Sequence, residues 1–294
     1  MSKNFWIVLL LLGAVVGCSD SQGGGLDFDP DDIGGVGEGI DPGKGASACY
    51  PAFADTELNV VTWNIEFLNS SNTDLNKVKS IVEGLDADII AVQEINSISA
   101  FNTLANSLVE WQGYSVDIGG SLDLGFLVKT NAFTEIGPIG TDFESILRPA
   151  VTMTVTHASG IEVTLFNIHL KCCSDGRNQR LAASNTMKSR LDEAYSSDAV
   201  ILLGDFNDDI VTSGSPFQNF IGDNENYKFV DMGIALGSSA NFSYPSWPSH
   251  IDHIMVSDEL FDKVGLVQTI RPESCVSSYS NDVSDHRPVL ASFK

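Results

Sequence analysis

Positive charge is what this chain has least of. Sixteen Lys and Arg stand against 39 Asp and Glu, a formal net charge of −23 over 294 residues. A surface of that sign repels polyanions at long range and lacks the basic footprint of a tight duplex binder. A bound divalent cation can offset such charge locally, so a nucleic-acid substrate is disfavoured without being excluded. The N-terminal apolar run, Phe5 to Val16, has 12 residues, whereas a spanning helix needs about 20. There is no Gly-x-Ser-x-Gly and no P-loop, so neither a nucleophile elbow nor a Walker-type phosphate cradle is on offer. Gly35-Val36-Gly37-Glu38-Gly39 fails as a dinucleotide fingerprint, because no strand precedes it and the spacing is wrong. Cys-x-x-Cys is missing too, so no spacing supports a structural zinc. No internal repeat is present.

What is there is enough for a real core. Hydrophobic residues make up 43% of the chain, and the length allows one large domain or two small ones. Residues 1–18 read as a targeting signal, with Lys3 supplying the positive start and Phe5–Val16 the apolar stretch. The end of that stretch, Val15-Val16-Gly17-Cys18, resembles the lipobox of bacterial lipoproteins. The resemblance implies that Cys18 is lipidated and becomes the mature N-terminus. It also implies a bacterial cell-envelope location, anchored to the membrane through lipid only and facing the periplasm or the exterior. Residues 19–48 hold nine Gly and seven acidic residues with no apolar period. Such a segment cannot bury enough surface to offset its ordering and reads as a disordered tether, with a root-mean-square reach of roughly 30 Å.

From Cys49 to Lys294 the pattern is that of a single domain. Leu58–Asn64 reads as a strand, and Leu75, Val78, Ile81, Val82 and Leu85 fall at helical spacing. Asp88–Gln93 is a second strand and Ile98–Val109 a second helix. Close-set strands follow at 114–117, 124–129, 133–136, 150–156 and 161–168, the last two joined as a hairpin. A helix at Asn178–Tyr195 is expected to turn Leu181, Ser184, Met187, Leu191 and Tyr195 inward. Strands at 201–207, 251–256, 266–270 and 289–293 complete the chain, with an irregular stretch at 208–249. Cys49, Cys172, Cys173 and Cys275 permit disulfides; the expectation is that one of the vicinal pair meets Cys49 or Cys275.

The chemistry collects at strand ends. Val60-Val61-Thr62-Trp63 ends in Asn64, Ile89-Ile90-Ala91-Val92 ends in Gln93-Glu94, and Ile201-Leu202-Leu203-Gly204 ends in Asp205-Phe206-Asn207. If these strands lie side by side, Asn64, Glu94, Asp205 and Asn207 share one place. His169 ends the strand at 165–168. Arg148 precedes Pro149 and a strand, Lys129 ends another, Asp252 sits in Ser249-His250-Ile251-Asp252-His253, and Asp285 and His286 stand just before the last strand. Period two predicts that His250 and Asp252 share a face and that His253 points away as a packing residue. Glu66 would share the face of Asn64 if its strand continued. Trp63 and Trp247 read as packing residues.

Thr-Trp-Asn64-Ile, Val-Gln-Glu94, Asn-Ile-His169-Leu, Gly-Asp205-Phe-Asn207, Ile-Asp252-His-Ile and Ser-Asp285-His286-Arg-Pro stand in the order found in the endonuclease/exonuclease/phosphatase superfamily. The resemblance spans essentially all of 58–294. It implies an α+β, deoxyribonuclease I-like fold, a four-layered α/β/β/α sandwich. It also implies a metal-dependent phosphoesterase that cuts phosphodiester bonds, most simply of nuclease type and, with the lipobox, extracytoplasmic; a sphingomyelinase-like lipid phosphodiesterase or a phosphomonoesterase is the alternative, and a non-catalytic surface binding lipoprotein a remote one. The residue types suit that chemistry. Glu94, Asn64 and Asp285 are oxygen-rich ligands for Mg²⁺, with Mn²⁺ or Ca²⁺ possible. His286 would take a proton from water, and Asp252 would orient it. Asp205 would hold the water or compete as the base. Asn207 and His169 would donate to phosphoryl oxygens, and Arg148 would contact the substrate phosphate. The expected partners are a phosphate-ester substrate, with nucleic acid among the candidates, and no second subunit: the chain is expected to be a monomer.

Overall fold

A computed structural model describes residues 49–51, 57–69, 71–120 and 122–294. The targeting signal with Cys18 and the tether at 19–48 lie outside the described residues. In chain order the elements are β1 Leu58–Leu68, α1 Leu75–Leu85, β2 Ile89–Ile95, α2 Ile98–Ser107, β3 Trp111–Val116, β4 Asp123–Lys129, β5 Phe133–Ile136, β6 Gly140–Asp142, β7 Ala150–His157 and β8 Glu162–His169. They continue with α3 Arg177–Ala194, β9 Val200–Asp205, α4 Gln218–Ile221, β10 Tyr227–Phe229, α5 Met232–Ala235, β11 Asp252–Ser257, β12 Val264–Thr269, α6 Tyr279–Asp282 and β13 Val289–Phe293.

The strands form two sheets, one ordered β12-β13-β1-β2-β4-β3 and the other β10-β11-β9-β8-β7-β5, with β6 added to β7. Parity along the central strands explains the layers. In β1, Leu58 and Val60 face the second sheet, while Val61, Trp63 and Ile65 face α1 and α2. In β9, Ile201 and Leu203 face the first sheet, while Val200 and Leu202 pack under α3. Both faces of each strand are buried, which is why these segments read as unbroken apolar runs. The result is the α/β/β/α sandwich.

α1 is held by Asp74, whose side chain accepts from the backbone N–H of Asn76 and Lys77. α3 departs from the expected face: Leu181 is exposed, and Arg180 is buried with Ala183, Ser184, Met187 and Leu191. The helix is rotated because the Arg180 guanidinium has inward partners, Asp208 Oδ2 at 2.7 Å and the carbonyls of Lys171 and Cys173 at 2.7 and 2.9 Å. The stretch 208–249 is less irregular than its composition suggests, since it contains α4, α5 and β10, which pairs with β11. Cys49 is bonded to Cys275, with Cα atoms 6.2 Å apart. This corrects the expectation for the vicinal pair: Cys172 and Cys173 stand together outside that bond. The vicinal pair instead lies between β8 and α3, and sequence distance says nothing of which cysteines meet.

Candidate active site

β1 and β2 run parallel, with Asn64 beside Gln93. β8 and β9 also run parallel, with His169 beside Asp205, and antiparallel β11 places Asp252 against Asp205. β13 runs antiparallel to β1, so the segment just before it, Asp285-His286, arrives at the same end. Four C-terminal strand ends and two N-terminal ones therefore converge at one edge of the sandwich. Ligand-type atoms of Glu94, His169 and Asp205 lie within 4.8 Å of one another, as do those of Asp205, Asp252 and His286.

The contacts are specific. Asn64 Nδ2 donates to Glu94 Oε1 at 3.2 Å and to Asp205 Oδ2 at 3.1 Å. His286 Nδ1 meets Asp252 Oδ2 at 2.8 Å, which leaves Nε2 toward Asp285, whose Oδ1 is 3.9 Å away. The His169 ring lies 3.7 Å from Glu94 and 3.6 Å from Asp205. Arg148 donates to the main-chain carbonyl of His169 at 3.4 Å and lines the same cavity. Asn207 N–H donates to Asp205 Oδ1 at 2.8 Å, and its side-chain amide donates to the Leu170 carbonyl at 3.1 Å. One amide hydrogen of Asn207 is thus engaged with backbone, and the other remains for a ligand.

Backbone strain gathers here. Glu94, Phe67 and Asn207 have positive φ of 60°, 49° and 52°, conformations that cost free energy and cluster at functional sites. Gly204, at φ 147°, crosses so close to β8 that a Cβ would sit 2.0 Å from the Ile168 carbonyl oxygen. Only glycine lets the strand deliver Asp205 beside His169.

Electrostatics follow from crowding. Burial alone lowers the His286 value, but the carboxylates of Asp252, Asp205 and Asp285 outweigh it and raise the group to about 10. Burial, and then Asp252, push Asp205 up to about 7. Burial, then Arg148 and His286, hold His169 well below the ordinary imidazole range, so that ring is neutral.

Residues 61–286 match the endonuclease/exonuclease/phosphatase family. The chain belongs to that family. It is accordingly a hydrolase of phosphate esters. No curated protein matches it in sequence. Among solved structures, this family member resembles a humanized zebrafish (D. rerio) TDP2 with a TM-score of 0.65 at 14% identity, covering 81% of this chain and 99% of that one. The human Nocturnin catalytic domain with bound sulfate gives 0.61 at 16%, covering 81% and 94%. A mannosyl-6-phosphatase from Bacteroides thetaiotaomicron gives 0.57 at 21%, covering 80% and 98%. At these identities the likeness is one of fold.

Divalent metal use is general in the family, and the residues here fit such an ion. Glu66 lies beside Asp285, accepting from its backbone N–H at 3.2 Å. Burial raises the Glu66 carboxyl, and Asp285 and Glu94 raise it further. Half-buried carboxylates that repel one another and a buried Asn64 Oδ1 with no hydrogen-bond partner are a donor set a cation would satisfy.

Several placements differ from the sequence reading. Lys129 pairs with Asp86 at 2.7 Å, away from the site, because β4 runs antiparallel to β2 and so ends at the opposite edge. His253 does point away from Asp252. His250, however, does not share the Asp252 side: it joins His253 on Asp231, because β11 begins only at Asp252 and strand parity does not reach position 250. Asp231 carried no sequence signal, since it lies in a loop far from any motif. The two histidines and Asp231 could hold an ion, but His250 Nε2 and both ring nitrogens of His253 are already engaged in hydrogen bonds. Trp63 is buried as expected, and it also braces the site. Its Nε1 donates to Tyr279 Oη, which donates to the His286 carbonyl. Trp247 instead sits half exposed on the cavity wall.

Proposed function

We propose that this chain is a Mg²⁺-dependent phosphodiesterase of nuclease type, acting on single strands or short oligonucleotides outside the cytoplasm. The observation that carries the reading is the joined cluster of Glu94, Asn64, His169, Asp205, Asp252 and His286 at one sandwich edge. Glu94, Asp285, Glu66 and Asn64 Oδ1 would hold the cation. When bound, it would offset the negative charge around His286 and polarise the scissile phosphate.

The chain's own groups divide the rest. His286 Nε2 takes the proton of the attacking water, while Asp252 fixes the ring through Nδ1 and stabilises its cation. Asp205 is held by Asn64 and by the Asn207 N–H, and orients the water with its remaining lone pairs. His169 and Asn207 are neutral donors aimed at phosphoryl oxygens, and Arg148 adds a planar charged donor. The lining of the cavity of about 500 Å³ includes a single Lys or Arg, Arg148, and five apolar or aromatic residues: Phe67, Leu122, Tyr244, Trp247 and Ile251. Aromatic walls without a basic track suit a short or single-stranded substrate better than a duplex. The same scarcity of Lys and Arg also favours a second reading, a small phosphate monoesterase.

A substrate panel decides between them. Single-stranded oligonucleotide, plasmid DNA, RNA, sphingomyelin and mono- and bis-nitrophenyl phosphate would be tested with Mg²⁺, Mn²⁺, Ca²⁺ and chelator. Hydrolysis of the single strand and of the bis ester is expected, abolished by chelator and restored by Mg²⁺. Turnover of the mono ester alone would transfer the assignment to the second reading, and no hydrolysis with any metal would remove both.

Lipid anchoring through Cys18 belongs to the same proposal, on the strength of the lipobox resemblance. The full chain should sediment with membranes, and Cys18→Ser should move it to the soluble fraction. Membrane association that survives the substitution would contradict the anchor.

A further inference from the structure

We propose that Cys172 and Cys173 form a reversible dithiol–disulfide couple at the rim of the active-site cavity, a modification site for low-molecular-weight disulfides. Both residues line the cavity that holds His169, Asp205 and Arg148. Cys173 Sγ donates to Cys172 Sγ at 3.0 Å, so the sulfurs need to approach by roughly 1 Å to reach bonding distance. Cys173 is exposed and has φ 69°, ψ 171°, a conformation unusual for a residue with a side chain. That strain is held in place. Buried Arg180 donates to the carbonyls of Lys171 and Cys173, and the Gly176 N–H donates to the Cys173 carbonyl at 3.0 Å. A Cβ on Gly176 would lie 2.6 Å from the Lys171 carbonyl oxygen, which makes the turn tight as well as pinned. Observed strain that the surroundings over-determine is a pointer to function.

The chemistry balances without another reagent. The exposed Cys173 thiolate attacks one sulfur of a small disulfide such as oxidised glutathione, forming a mixed disulfide and releasing one glutathione. Cys172 then attacks the Cys173 sulfur, closing the Cys172–Cys173 bond and releasing the second glutathione. The protein loses two protons and two electrons, and the small disulfide gains them. Closure changes the Cys172–Cys173 peptide, whose flanking carbonyls share Arg180 with Asp208, the neighbour of Asn207. The couple therefore reports to the site, and this second part rests on the phosphoesterase reading.

The purified protein would be treated with oxidised glutathione, alkylated, digested and analysed by mass spectrometry. The peptide Cys172–Arg177 should lose two hydrogens, resist alkylation, and regain both thiols under mild reductant while Cys49–Cys275 stays closed. For the ester that the panel identifies, kcat/KM should differ by about fivefold or more between the two forms, the low end of coupling between sites. Cys173→Ser should keep its turnover and lose that response. A peptide alkylated at both cysteines, or one that retains a glutathione adduct, overturns the couple even if the protein hydrolyses nothing. Equal turnover in the open and closed forms overturns its control of the site.

Discussion

Replacing His286 with alanine should lower kcat by about 10²–10⁴-fold, the range of a positioned acid–base group. KM should change far less, because the ring acts on the water rather than on the substrate's binding groups. Three buried contacts orient the residue: Asp252 Oδ2 on Nδ1, Tyr279 Oη on its carbonyl, and Ser284 Oγ accepting from its N–H at 2.9 Å. Ser284 in turn donates to the Asn64 carbonyl at 2.7 Å, so the same loop is tied to the strand that carries a candidate metal ligand. The variant leaves these main-chain ties but strips fully buried Asp252 of its partner, so its thermal midpoint should fall below the parent's even where it folds. The measurement is steady-state kinetics on the substrate identified by the panel, with circular dichroism as the folding control. A kcat within threefold of the parent in a folded variant would remove His286 from the proton-transfer step.

Asp231→Asn should be the most damaging single change away from the cavity, destabilising the fold by about 3–5 kcal/mol as a broken buried ion pair. Asp231 is fully buried. Its Oδ2 meets His253 Nδ1 at 2.6 Å and His250 Nε2 at 2.8 Å, and its Oδ1 accepts from the Ile254 N–H at 3.0 Å. The other nitrogen of His253 faces the Asp208 carbonyl at 3.0 Å. Both His253 nitrogens thus face acceptors, so the ring carries both protons and a positive charge. Burial acts to lower the His253 value, but Asp231 outweighs it and holds the group above 6.5. Burial acts to raise Asp231, and the two histidines outweigh it, leaving the carboxyl well below 3.8.

The signs then fix the pH profile. The depressed Asp231 contributes stability above about pH 3.8 that is lost as pH falls through its folded value. The raised His253 contributes stability below about pH 6.5 that is lost as pH rises through its folded value. Urea denaturation of parent and variant across pH 3 to 9 checks both. The variant should be less stable near neutrality, and the gap should narrow toward either end. A variant as stable as the parent at pH 6, or a gap independent of pH, would show that the pair does not hold β11 in place.

Local pattern carried much of the fold and of the candidate site. Apolar runs that stop at Asn64, Glu94, Asp205 and His169 are visible because a strand buried on both faces must be apolar throughout, so a polar terminus stands out. The order of those termini carried the family resemblance, and it was the resemblance that implied the sandwich; helical spacing located α1, α2 and α3. Arg180 shows where pattern fails. Periodicity found the α3 helix, but its rotation is set by Asp208 and two carbonyls elsewhere in the chain. Glu66 had no sequence role because its partner, the Asp285 N–H, is 219 residues away.

The sequence by itself therefore determined which segments become central strands and which side chains stand at their ends, since both follow from short-range period and burial. Only the tertiary structure decided which ends meet, that Cys49 pairs with Cys275, that His250 turns to Asp231, and that Cys172 and Cys173 face the cavity. Each of those outcomes depends on contacts between residues distant in sequence, where packing and electrostatics act on positions that local spacing cannot encode.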